Sequence, residues 1–418
     1  MKNNRIKAVM FDKMQYSFSK YYDRMIHCYI IYEGKVDKEK LKKSFSFLLD
    51  EYPILHSHYK NRMIRSYWKI QKDIDEDYLT FLKTDDCYKE ALSFLTEKPF
   101  NIKKEYQIKI QVAEEKERFS IALIINHMVL DGGDLKFLLS QFTSFYNSQE
   151  TVKRGKSRSH MNIYKDMDEG FKKKALSLYK NMTSDKPYQL NLTKKSKEDR
   201  QQVSLISLEK EESMRIISYC KKNKCTVTDV FLACYGFSSL KFLKTEKKKR
   251  RFSLQSMVDL RRYVNSSSEI GVSNQTGVMN ISFDVDSSLE EIIRQIKVQT
   301  KIEKDNYVGL YSLPLLALDY KLFIDCIANL LIKIFFNLAS FTLSNIGILD
   351  KEKLSLDGCL LKDAHIYGAS RKKNKSVLSI TSLDDCFTFS FPFIGNSEDK
   401  KIIDNFLEEI KKNLLSLV

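Results

Sequence analysis

Apolar runs of strand length alternate along the chain with stretches at helical spacing, and together they predict a mixed α/β protein. His27 to Tyr32 (HCYIIY) is almost unbroken in its apolar and aromatic character and predicts a buried strand. Asp37 then precedes Lys38–Glu51, in which Leu41, Phe45, Leu48 and Leu49 recur at helical spacing, so a capped helix is expected there. Tyr52-Pro53 closes it, because the residue before a proline is pushed out of the α region. A hairpin follows. Gln107–Ala113 and Phe119–His127 are apolar, and the charged EEKER between them makes the turn. In the second strand Phe119, Ile121, Leu123 and Ile125 alternate with Ser120, Ala122, Ile124 and Asn126. After Asp131-Gly132-Gly133, the positions Leu135, Leu138, Leu139 and Phe142 predict an amphipathic helix.

The pattern then turns polar and basic over 147–158, and again over 194–202. A chain of 418 residues exceeds the roughly 250–300 at which a single hydrophobic core stops growing, so two halves are expected. Their boundary is placed near residue 175, giving halves 1–175 and 176–418. The second half opens with a strand, Val203–Leu208, and helices near 210–222 and 227–243. A basic run, Lys247–Arg251, reads as a solvated connection to the strand Phe252–Val258. A second hairpin, Ser376–Ser382 and Phe387–Phe393, turns at LDDC. It is patterned like the first, which is compatible with a weak internal duplication and equally with two ordinary hairpins. The most apolar stretch, Phe323–Leu349, is interrupted by Asp325, Asn329, Lys333, Asn337 and Asn345. A spanning helix needs about 20 predominantly apolar residues, so this stretch reads as core or tunnel wall and no transmembrane segment is expected.

Charge narrows the partners. Seventy Lys+Arg against 54 Asp+Glu leave a net charge of +16, a surplus that attracts anions over long range. A lysine-rich solvated surface, the phosphates of coenzyme A, an acidic carrier protein and an anionic membrane all satisfy it. Nucleic acid is not expected, since the basic residues are spread along the chain without a recognisable binding signature. The eight cysteines include no C-x-x-C, and the opening MKNNRIKAVMFDKMQYSF has no apolar run of export-signal length. Reduced, mostly buried thiols and a cytoplasmic location follow as expectations.

The chemistry concentrates in Ile125-Asn126-His127-Met128-Val129-Leu130-Asp131-Gly132-Gly133. A histidine at the end of an apolar strand, followed by a turn with two glycines and a helix, is placed where layers meet. Its ordinary pKa lets it accept and return a proton near neutral pH. Asp131 is within local reach and suited to hold the turn through an ion pair with a distant arginine. The other histidines read as structural: His27 and His365 on strands, His160 in the polar linker. His56-Ser57-His58 lacks a matching Cys, Asp or Glu cluster, so no metal site is expected. Cys220 and Cys225 have no nucleophile context.

His127-x-x-x-Asp131-Gly132 resembles the H-x-x-x-D-G hallmark of the coenzyme A-dependent acyltransferases. That superfamily includes chloramphenicol acetyltransferase, alcohol acetyltransferases, wax ester synthases and the condensation domains of nonribosomal peptide synthetases. Further segments are similar in the family's order: Glu51-Tyr52-Pro53-Ile54-Leu55, the helix opening at Thr226, Val258-Asp259-Leu260-Arg261-Arg262-Tyr263, Asn274-Gln275-Thr276-Gly277-Val278-Met279, and Leu343-Ser344-Asn345-Ile346-Gly347. The resemblance implies two chloramphenicol acetyltransferase-like halves, each a mixed sheet with flanking helices, with the active-site tunnel between them. It implies direct acyl transfer from a thioester to an alcohol or amine, with His127 as general base, Ser344 as the first candidate oxyanion donor, and Gly132 in the catalytic turn. Asp131 would be structural, with Arg261 as its partner. Asn126, Thr342, Asn345 and Asn274 would contact substrate. The donor would be acyl-CoA, or alternatively an acyl or aminoacyl phosphopantetheine thioester on an acidic carrier protein. No permanently bound cofactor is implied, the acceptor is a small molecule, and a two-half chain is expected to work as a monomer. Two departures stand out. Many relatives carry a second histidine where this chain has Asn126. The plant-type D-F-G-W-G motif is missing, since the one tryptophan is Trp68.

Overall fold

The computed structural model describes residues 4–97, 99–148, 150–159, 163, 169–170, 188–244, 250–264, 270–310, 318, 320–335, 340–372 and 375–418. The expected boundary near residue 175 and His160 lie outside them.

Among the described residues the strands are β1 (Arg5–Lys7), β2 (Met25–Glu33), β3 (Ser57–Lys60), β4 (Tyr67–Ile70), β5 (Leu79–Lys83), β6 (Ile108–Glu114), β7 (Arg118–Asn126), β8 (Arg200–Ser207), β9 (Arg251–Asp259), β10 (Thr276–Asp284), β11 (Phe341–Ile348), β12 (Leu360–Tyr367), β13 (Ser376–Leu383) and β14 (Cys386–Gly395). They form two large mixed sheets, ordered β12-β2-β7-β6-β5 and β10-β9-β11-β13-β14-β8, and a small antiparallel sheet β1-β4-β3. Both expected hairpins are present, one in each large sheet. The fold is the mixed α/β class that the sequence implies.

The first sheet is built around β7. Every residue from Phe119 to Asn126 is buried, because β2 and β6 pair with both its edges and the helix α3 (Cys87–Leu95) packs on it. The simple inside–outside alternation expected for this strand is therefore replaced by burial on both faces, as befits a central strand covered by helices. Helix α2 (Lys38–Glu51) begins as anticipated, the Asp37 carboxylate accepting from the Lys40 amide at 2.9 Å, and it buries Leu41, Phe45, Leu48 and Leu49. It lies against α4 (Gly132–Ser148), where Phe45 stacks on Phe142 at 4.3 Å.

The second sheet buries its inner face under the helices Val227–Ser239, Leu289–Lys304 and Ser397–Leu415. The hairpin β13–β14 turns at Asp384-Asp385, both at positive φ (49° and 63°), the backbone pairing of a tight two-residue hairpin. Strand β12 breaks the simple division into halves by sequence. It lies between two strands of the second sheet along the chain, yet it pairs antiparallel with β2 at the edge of the first.

Of the apolar stretch Phe323–Leu349, the end over β11 is core and cavity wall as expected, and the first part departs from that expectation. Within its helix Asp325–Phe335, Ile327 and Leu330 are exposed, as are Phe323 and Ile324 just before it. Asp325, by contrast, is buried, paired with Lys13 at 2.7 Å and accepting from the Ser66 amide at 2.7 Å. A buried carboxylate with two partners anchors the helix start.

Candidate active site

His127 sits just beyond the end of β7, half-buried, at the wall of a cavity of about 190 Å³ between the two large sheets. The cavity takes Phe11, Met14, Gln15 and Tyr22 from the N-terminal segment and Met257, Thr276, Ser344, Asn345 and Arg371 from the other side. The peptide of His127 is fixed from behind, its N–H donating to the Arg24 carbonyl at 2.8 Å. Arg24 adopts φ 65°, a left-handed conformation that a non-glycine residue rarely takes, and so turns that carbonyl toward the histidine.

Two groups meet the ring at Nδ1: the Leu130 carbonyl oxygen and, slightly farther away at 3.1 Å, the Asn274 side-chain nitrogen. Nδ1 lies 2.9 Å from the Leu130 carbonyl oxygen, which can only accept. Asn274 Nδ2 donates to the His127 carbonyl at the shorter distance of 2.9 Å, so the Leu130 contact assigns the hydrogen to Nδ1 and the lone pair to Nε2. Asn274 braces the same residue through that bond, while its own Oδ1 accepts from the Thr276 amide at 3.0 Å. Burial pushes the His127 pKa below its ordinary 6.5, with the Arg371 charge acting in the same direction, against the Leu130 hydrogen bond and the Asp131 charge. A neutral imidazole at pH 7 follows.

Asp131 is 4% exposed at the cavity wall, and its carboxylate is taken up by an ion network. One oxygen caps α4 by accepting from the Asp134 amide at 3.0 Å. The other accepts from the Gln275 amide at 2.7 Å and from Arg261 Nη1 at 3.0 Å. The same guanidinium reaches Asp134 at 2.8 Å and Asp259 at 3.0 Å, and Arg154 pairs with Asp134 as well. Burial would raise the Asp131 pKa, but Arg261 and the two amides outweigh it and hold the carboxyl below its usual range. Arg261 is thus the partner of Asp131, joined by Asp134, Asp259 and Arg154, which the sequence did not single out. Gly133 sits close against this network: a Cβ there would lie 3.1 Å from Asp259 Oδ2 and 3.2 Å from Arg261 Nη1. Gly132 lines the cavity against Ile346.

On the opposite wall, Ser344 and Asn345 of β11 line the cavity beside a bulge between Asn345 and Gly347. Bulges re-aim side chains at such rims. Ser344 is partly exposed, and its hydroxyl has no protein hydrogen bond among the described residues. The Asn345 amide is held within the protein, donating to Thr228 Oγ1 at 3.0 Å and accepting from the Gly347 amide at 3.0 Å.

Three of the expected substrate contacts lie elsewhere. Asn126 is fully buried and gives both ends of its amide to Gln107 and the Met128 N–H. Thr342 is fully buried, its hydroxyl accepting from Arg371 Nη1 at 3.1 Å. Asn274 is buried behind His127 and positions it. None of the three lines the cavity: Thr342 shares the Ser344 face of β11 but its hydroxyl is taken by Arg371, and Asn126 and Asn274 are taken up by backbone and side-chain partners. A further anchor falls in what reads as linker. Arg158 binds both carboxylate oxygens of Asp12, at 2.7 and 3.0 Å, and donates to the Met128 and Val129 carbonyls, clamping the turn after His127. The other histidines are structural where described: His27 stacks on Tyr367 at 4.7 Å, and His58 Nδ1 lies 2.9 Å from the Gln71 amide. Burial raises the pKa of Cys220 to about 12 and that of Cys225 above its ordinary value, which leaves both as thiols rather than nucleophilic thiolates.

The model of one protein family, described as Condensation domain, matches residues 8–418. The chain belongs to the condensation-domain family. Among solved structures this condensation domain is similar to the condensation domain of the Monacolin K polyketide synthase MokA, at 12% identity over 99% of this chain and 97% of that one, with a TM-score of 0.72. It is similar also to the TRI3 trichothecene 15-O-acetyltransferase from Fusarium sporotrichioides, at 12% identity over 99% and 95% of the two chains, with a TM-score of 0.73. The first condensation domain of the CDA synthetase gives 10% identity over 98% and 96%, with a TM-score of 0.72. No curated protein matches the sequence. The shared architecture therefore spans the whole chain of this condensation domain, at identities that establish its fold, and no described helix is long and apolar enough to cross a membrane.

Proposed function

We propose that this condensation-family chain transfers an acyl group from a thioester to an alcohol or amine acceptor, with His127 as general base. The observation that carries the reading is the Nδ1 contact to the Leu130 carbonyl, which leaves the basic Nε2 at the cavity. Nε2 removes the acceptor proton as its oxygen or nitrogen adds to the thioester carbonyl carbon. The oxyanion so formed needs a donor, and the Ser344 hydroxyl across the cavity is the candidate. Collapse breaks the carbon–sulfur bond, and the leaving thiolate takes the proton back from Nε2. Base and proton are restored, and no acyl-enzyme forms.

Coenzyme A is the first donor reading. A carrier-tethered phosphopantetheine thioester is the second, favoured by the family match itself. The test is thiol release from a panel of acyl-CoAs with mixed alcohols and amines, comparing wild type with His127→Ala. Acceptor-dependent release that falls by roughly 10²-fold or more in the variant supports the base. Release that survives the substitution overturns it. A silent, folded wild type that turns over only carrier-loaded thioesters moves the donor to the second reading.

A further inference from the structure

Arg371 lines the cavity, and the transfer mechanism leaves its charge unused. It is 5% exposed, and among the described residues its guanidinium makes one hydrogen bond, from Nη1 to the Thr342 hydroxyl at 3.1 Å. Its remaining packing is against the Tyr22 ring, 5.8 Å from the centroid. No carboxylate of the described residues pairs with it, whereas Arg158 and Arg261 each grip an aspartate. A buried cation with no counter-ion is strongly disfavoured unless an anion arrives to complete it. Its planar fork is shaped to hold a carboxylate through two parallel hydrogen bonds.

We propose that the cavity binds a substrate bearing a free carboxylate, and that Arg371 is the residue that selects it. This deepens the acyl-transfer reading and rests on it for the identity of the bound molecule. Thr342 is then a positioning residue, holding the guanidinium where the anion meets it. Two sources supply the same chemistry: an acceptor that is a hydroxy or amino acid, or a donor whose acyl group is a dicarboxylic acid half-thioester.

Binding is measured first, by calorimetry on the full chain, because it needs no turnover. The probes are 4-hydroxybutyrate against its amide, for the acceptor source, and glutarate against its diamide, for the donor source. In at least one pair the acid should bind roughly ten- to a hundredfold tighter, the range of a buried hydrogen bond to a charged group. Arg371→Gln should collapse that ratio, Arg371→Lys should keep part of it, and His127→Ala should leave it in place. Equal binding of acid and amide to the wild type in both pairs overturns the proposal, even if no Arg371 variant folds. So does a preference that survives Arg371→Gln. A carboxylate preference without any acyl transfer would count against the transferase reading alone. With turnover in hand, the loss in kcat/KM for Arg371→Gln should be at least tenfold larger for an acid than for its amide. Equal losses for both would make Arg371 part of the fold or the reacting centre instead.

Discussion

His127 has its working nitrogen chosen by a backbone oxygen three residues away, and that gives a pH signature. Burial lowers its pKa, so the base form persists to more acidic pH than a free imidazole would allow. The acid limb of kcat/KM should therefore have its midpoint below 6.5, the ordinary value, and a midpoint above it would mean that another group titrates. Arg261 presents the opposite case, a charge surrounded by three carboxylates. Replacing it by Met leaves Asp131 and Asp134 buried without their shared cation, although Arg154 still reaches Asp134. A loss of about 3–5 kcal/mol in urea unfolding is expected. A variant within 1 kcal/mol of wild type would show the network to be dispensable for folding. The two glycines after Asp131 are distinguishable on the same grounds: Gly133 sits close against this network, whereas Gly132 meets only the Ile346 side chain, at 3.4 Å.

At the scale of elements, the second sheet depends on how closely its central helix approaches. Gly236 lies on the helix Val227–Ser239, and a Cβ there would sit 2.5 Å from Phe283 Cε1 on β10. Phe283 is fully buried and has little room to yield. Gly236→Ala should destabilise the protein by about 1–3 kcal/mol despite the better helix propensity of alanine. A stabilised variant, seen as a higher denaturation midpoint, would mean that the helix can shift outward. Most elements were legible in the sequence because their signals are local. Asp37 and Pro53 delimit α2, EEKER marks one hairpin, and LDDC marks the other. The helix Asp325–Phe335 was misread for an equally definite reason. Hydrophobicity predicts burial only where a neighbour covers the apolar face, and here Ile327 and Leu330 are exposed while Asp325 is buried.

At the scale of the molecule, stability should depend on acid through histidines that fold neutral. His27 is fully buried, donating from Nδ1 to the Gly368 carbonyl at 3.2 Å, and burial lowers its pKa to about 4. His365 is lowered to about 3 by the same cause. A depressed folded pKa means that this stability is complete above 6.5 and is lost as pH falls toward 4, because the unfolded chain takes the proton first. The slope is up to ~1.4 kcal/mol per pH unit for each such group. Asp23, raised to about 7 by burial, works in the opposite sense, so the clean comparison is wild type against His27→Gln. The variant should show a shallower fall in urea stability across that window, and parallel curves would contradict the burial of His27 as a neutral ring. The sequence by itself determined the hairpins and the capped helix α2, the strand-end histidine and the family resemblance, which in turn implied Arg261 as the partner of Asp131. Each is written in local spacing or in short motifs that only a few residues can satisfy. The tertiary structure alone decided which way those residues point. It occupied Asn126 and Thr342 with protein partners, drew Arg158 out of an apparent linker to clamp the catalytic turn, and carried β12 across to the first sheet. It also left Arg371 in the cavity wall without a carboxylate among the described residues. Side-chain direction, counter-ions and strand partners are properties of contacts between segments far apart in sequence, and no local pattern encodes them.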